Sequence, residues 1–167
     1  MMKIAKIFAA LAALATLAGC AGNEIKNLVT FHVATSETMP TSFAREPLLM
    51  PTSGFTLVCN KEPFMYNNDL MRVDVAKVNL PEGGSLDGLY FTANERGTKR
   101  LFTATAANLN NFIVAKINGE PFALRRIDMA IADGKIFMVF DAPNGAKIDK
   151  TAEDLNESIE IAHKIND

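Results

Sequence analysis

The sequence predicts an α+β fold, a mainly antiparallel sheet with two helices packed on one face. Three observations predict it. Short runs of alternating apolar and polar residues recur through most of the chain, as half-buried strands require. Asn118-Gly119 lies between two such runs, and this dipeptide is the strongest short hairpin signal. Two stretches, beginning near Glu95 and Thr151, switch to helical spacing. With 49% hydrophobic and 22% charged residues, the 167-residue chain has the make-up of a globular domain. Seventeen basic against 19 acidic residues give no basic excess, so nothing points to nucleic acid. Two cysteines are too few for a disulfide scaffold.

The first nineteen residues read as a targeting segment. Lys3 and Lys6 form a positive start, and residues 7–17 are an almost unbroken apolar run. That run is shorter than the roughly 20 residues a bilayer span needs, and it has the length of a secretory core. It ends in Leu17-Ala18-Gly19-Cys20, which resembles a bacterial lipobox. The resemblance implies cleavage before Cys20 and acylation of that residue. Each buried CH₂ contributes about 0.8 kcal/mol, so several chains anchor durably where one does not. Ala21 follows the cysteine rather than an acid, which by resemblance to enteric sorting favours the outer membrane. Residues 1–19 are thus expected to be the signal peptide. Residues 20–27 would be the lipidated cysteine and a short tether, and 28–167 a single domain. The tether reaches at most about 25 Å, so the domain would sit close to the lipid surface.

Within the domain, Val29, Phe31 and Val33 alternate along a strand over 28–34. Residues 35–53, with Pro40, Pro47 and Pro51, read as a loop or irregular edge. Strands are expected over 55–60, 71–80 and 86–93, with a turn around Pro63 and a break at Pro81-Glu82-Gly83-Gly84. Asn94 is placed to cap a helix over 95–108, although Gly97 in its first turn weakens it by up to about 1 kcal/mol. Strands 112–117 and 120–126 flank Asn118-Gly119, and Asp133-Gly134 would join strands 127–132 and 135–140. Thr151 with Asp154 suggests a capping box opening the last helix, whose stripe is Leu155, Ile159 and Ala162.

The stretch from Asn94 to Ile165 resembles the head subdomain of the first periplasmic domain of the protein-export subunit SecD. The resemblance rests on Thr103, Thr105 and Asn108 near the end of the first helix, on Asn118-Gly119 between its two strands, on the Ile-rich segment ending at Gly134, and on the closing Thr-x-x-acidic helix from Thr151. It implies the fold, and an activity of contacting polypeptide without covalent chemistry. The many membrane helices of full SecD have no counterpart, so a translocase subunit of that type is not expected.

The chain offers little reactive chemistry. His32 and His163 are its imidazoles. His32 alternates away from Phe31, toward solvent or the second face of the sheet. Cys59 lies in the strand-like run Phe55 to Asn60, where a thiol usually packs as a small hydrophobe. A Cys59–His32 dyad has no motif behind it, and no Cys/His cluster has metal-ligand spacing. Asp69, Asp74, Glu82 and Asp87 are scattered acids beside turns, and Gly83-Gly84 lacks a phosphate-loop context. Arg125-Arg126 and Lys99-Arg100 form modest basic pairs, and the mature methionines are dispersed gap fillers. No catalytic, cofactor or metal residues are therefore expected, and Cys20 is the one modification site. The expected protein is a non-enzymatic, lipid-anchored, periplasm-facing envelope protein. Its partners would be the membrane and a protein or peptide, with Pro40–Pro51 as a moving rim. An enzyme with an unrecognised site and a small-ligand or lipid carrier are the alternatives.

Overall fold

The computed structural model describes residues 24–37, Pro40, and residues 42–143 and 145–166. The leader and Cys20 lie outside the described residues. Among these, nine strands form one sheet in the order β2-β3-β1-β7-β8-β9-β6-β5, with β4 beside β1. The strands are β1 (Val29–Thr35), β2 (Arg45–Leu49), β3 (Thr56–Asn60), β4 (Met65–Tyr66), β5 (Leu70–Asn79), β6 (Ser85–Ala93), β7 (Phe112–Ile117), β8 (Glu120–Arg126) and β9 (Lys135–Phe140). The helices are α1 (Glu95–Ala107) and α2 (Ile148–Asn166), and a 3-10 turn spans Asn67–Asp69. Each pairing between described strands is antiparallel.

Both helices lie on one face, as the alternation implies. Val29, Phe31, Leu89, Phe91, Ile136 and Met138 point there and meet Leu101 of α1 and Ala152, Leu155 and Ile159 of α2. Phe31 and Phe91 cross edge to face with centroids 5.1 Å apart, a favoured aromatic geometry. Asn94 caps α1 as its residue type predicts, its side chain accepting from the Gly97 amide at 2.9 Å. At the β7–β8 turn, Asn118 and Gly119 take φ values of 51° and 92°.

The second face carries a smaller core. Ala34 and Val114 of the sheet meet Leu48, Met50, Leu57 and Cys59 of the β2–β3 hairpin. The tip of that hairpin reaches Asp141, just past β9, whose carboxylate accepts from the Thr52 amide at 2.6 Å and the Ser53 amide at 3.2 Å. At its other end Glu46 pairs with the buried Lys116 of β7 at 2.7 Å.

The stretch expected to be a loop or an irregular edge contains the edge strand β2. Its inward amides, Leu48 and Met50 among them, fall between the prolines, and Pro47 takes a position where no amide is needed. Two sequence expectations are corrected. Residues 127–132 do not form a strand. The Ile131 amide bonds to Thr105 Oγ1 at 2.9 Å and the Ile127 amide to the Asn111 carbonyl at 2.8 Å, so the segment crosses beneath α1 without a ladder. Thr151 does not cap α2, which starts a turn earlier. The Thr151 amide already donates to the Lys147 carbonyl at 2.9 Å, four residues back.

Candidate functional site

Open sheets end in strands whose outer amides and carbonyls have no neighbour, and such edges pair readily with extended chains. The two edges here, β2 and β5, are unlike. In β2 the Met50 amide bonds to the Phe55 carbonyl and the Lys61 amide to the Ala44 carbonyl. Positions 44, 46, 48 and 50 therefore face β3, and Arg45, Pro47 and Leu49 face outward. Pro47 has no amide proton, so this edge is blunted at its centre.

β5 is different. The side chain of Asn156 on α2 accepts from the Val73 amide at 2.8 Å and donates to the Val73 carbonyl at 2.7 Å. Val73 N–H and C=O therefore point away from β6, which fixes the parity of the strand. Val73, Val75, Lys77 and Asn79 face outward, while Asp74, Ala76 and Val78 bond to Tyr90, Gly88 and Leu86 of β6. A ring nitrogen of His163 lies 2.7 Å from the Leu70 carbonyl. Helix α2 thus occupies the first part of the edge. Beyond Val73 it stops, and the outward groups of Val75, Lys77 and Asn79 carry no hydrogen bond among the described residues. This open segment is about 14 Å long. Around it Val75, Val78, Leu80 and Leu86 are exposed. Lys77 sits across from Asp87 at 3.5 Å, leaving the edge without a strong local charge.

The reactive candidates lie elsewhere. His32 is buried on the second face. Its Nδ1 is 2.8 Å from the Asn60 carbonyl and its Nε2 2.9 Å from Thr30 Oγ1. Burial is the largest effect and lowers its pKa; the Asn60 carbonyl contact raises it in part, the Lys116 charge lowers it further, and Glu46 raises it least. Cys59, on β3 of the hairpin, is buried against Ala34 and Val114, and burial pushes its thiol up to about 11, away from nucleophilic activation. Among the described residues no group of three or more His, Cys, Asp or Glu is placed to hold a metal. Asp74 and Asp87 pair with Arg72 and Lys77 at the surface. Asp69 is the exception among the acids. It is fully buried and binds Arg96 at 2.6 Å and Arg100 at 2.8 Å. Arg100 thus serves Asp69, while Arg125 donates to the Phe137 carbonyl, so the two basic pairs hold different elements. Thr105, singled out by resemblance, is buried and ties the 127–134 segment to α1. Asn156 and the parity of β5 had no signal in the sequence. Cys20 lies outside the described residues, and no described helix is long and apolar enough to cross a membrane.

No protein-family profile matches the chain, and no curated protein does. Solved structures of SecDF are among those similar to the chain. One, reported as the structure and function of a membrane component SecDF that enhances protein export, aligns with a TM-score of 0.50 at 13% identity over 81% of this chain. Another, SecDF in a super-membrane-facing form, aligns with a TM-score of 0.52 at 13% identity over 83% of this chain. The chain spans 62% of the first and 19% of the second. The two-helix antiparallel sheet is thus a SecD-like fold, as the helix and hairpin pattern from Asn94 onward implies.

Proposed function

We propose that the chain is a non-enzymatic polypeptide-binding module of the bacterial envelope, held to a membrane through acylated Cys20 and facing the periplasm. The open segment of β5 is the observation that carries the reading. Main-chain pairing at such an edge supplies affinity with little sequence selectivity, the mode suited to extended, unstructured clients. Exposed Val75, Val78, Leu80 and Leu86 favour apolar stretches. The structurally similar SecDF, described as a membrane component that enhances protein export, supports polypeptide as the client class. The lipobox-like Leu17-Ala18-Gly19-Cys20 supports the anchor.

The parity of β5 supplies the test. Lys77→Pro removes an outward amide proton and no ladder bond, whereas Ala76→Pro breaks the pairing with Gly88. Anisotropy of a labelled, permanently unfolded polypeptide is expected to report binding to the wild-type chain and its loss in folded Lys77→Pro. Equal binding by the two proteins would refute the β5 site.

A further inference from the structure

A second concave site lies where the chain enters the domain. Its walls are Ile25, Leu28 and Ala162, with Tyr66 at the end of β4, Asn67 and Asn68 on the 3-10 turn, and Arg96 and Arg100 on α1. Its volume is about 330 Å³. The two guanidinium groups do not wave in solvent. Arg96 is held through Nε on Asp69 and through an Nη2 contact of 3.1 Å to the Asn68 carbonyl. Arg100 is held through Nη1 on the other Asp69 oxygen. One buried carboxylate thus fixes two guanidinium planes and neutralises one charge. A net positive charge remains, and among the described residues no further carboxylate lines the cavity. The arginine side chains stay 54% and 42% exposed, and each keeps N–H donors without a hydrogen bond among the described residues. A preorganised guanidinium pair suits an anionic oxygen cluster, phosphate above all. The aliphatic side of the cavity suits an apolar group attached to that anion.

The place of the cavity selects the ligand. Ile25 lines it and lies five positions after Cys20. That distance spans at most about 18 Å. An anchor at Cys20 would therefore keep this cavity within about 18 Å of the lipid surface, in reach of the headgroups. We infer that the Arg96–Arg100 cavity binds the phosphate of an anionic phospholipid, with the glycerol end against Ile25 and Leu28. The choice of a lipid rests on the anchor proposed above. Bound there, the headgroup is a second contact with the membrane and fixes how the domain, and β5 with it, is turned above the surface.

The test uses the full chain in cells grown with radioactive phosphate. A benzoylphenylalanine photoprobe replaces Tyr66 inside the cavity or Leu80 at the far β5–β6 turn. Irradiation is expected to give a labelled adduct of phospholipid mass at position 66 and little at 80. Arg100→Gln, which leaves Arg96 on Asp69, should lower that adduct about tenfold, the loss of one charge-assisted contact. Lys99→Gln should leave it unchanged. No adduct at 66, equal labelling at both positions, indifference to Arg100→Gln in a protein with wild-type circular dichroism, or a peptide adduct in place of lipid would each overturn the inference. Mass analysis of Cys20 in the same preparation judges the anchor separately. If Cys20 is unmodified, the purified chain is instead irradiated with vesicles containing phosphatidylglycerol. A position-66 adduct there keeps the headgroup site without the anchor, and its absence rejects the site.

Discussion

Asn156 on α2 and Val73 on β5 form a closed pair of hydrogen bonds, the side-chain amide taking the place of a neighbouring strand. Helix α2 caps the sheet edge for one residue and leaves the next three outward positions bare. Asn156→Ala exposes two main-chain groups at a buried residue and is expected to cost about 1–3 kcal/mol. It also lengthens the open edge, so the variant should self-associate more at high concentration. Urea denaturation and sedimentation velocity check the two effects. Asn156→Asp keeps the acceptor and loses the donor, so its cost should fall between wild type and Asn156→Ala.

Gly97 shows where local propensity and tertiary contact disagree. An added Cβ would run into the Asp69 backbone carbonyl. Helix propensity alone makes Gly97→Ala stabilising by about 1 kcal/mol. The collision with rigid backbone reverses the sign, and a loss of about 1–3 kcal/mol is expected in thermal or denaturant unfolding.

The Asp69 cluster predicts an asymmetry. Asp69→Asn leaves two half-exposed guanidinium groups that water can solvate, at a cost of about 1–2 kcal/mol. Removing both arginines strands a fully buried carboxylate and should cost more, about 3–5 kcal/mol. Comparing Asp69→Asn with Arg96→Gln/Arg100→Gln by urea titration reads the difference.

Acid should destabilise the protein in two stages. His32 has a folded pKa below its ordinary 6.5, so the unfolded chain takes up the proton first. Stability is complete above about pH 6.5 and falls as pH drops through and below that value. Glu46 is held below 4.5, chiefly by its hydrogen bond from Lys116, so its contribution is lost at still lower pH. It is partly exposed, which weakens the effect at high salt. His32→Gln should flatten the melting temperature between pH 7 and pH 5. Cys59, raised to about 11, acts at the other end, its contribution disappearing as pH rises above its ordinary 9. Native protein should leave Cys59 unlabelled by a thiol reagent, and unfolding should expose it.

Alternation made the strands legible, and polar punctuation made the turns legible. Asn94 and Asn118-Gly119 do what their residue types dictate because their effects are local. Strand β2 was legible as no more than a loop or irregular edge because prolines normally end strands, and only the sheet shows that Pro47 sits where no amide is needed. The segment 127–132 misled because Ile127 and Ile131 are buried without a ladder, held by Asn111 and Thr105 across the fold. The open edge was invisible for a related reason. Which strand ends a sheet, and which of its amides a helix covers, are properties of topology that no window of sequence contains.

The most direct measurement of the central claim is amide hydrogen exchange of β5 with and without an unfolded polypeptide. Fast exchange is expected at Val75, Lys77 and Asn79 in the unbound protein and marked slowing at those three when the polypeptide is added, with Asp74, Ala76 and Val78 slow throughout. Binding of the polypeptide that leaves the three outward amides unprotected would contradict that claim.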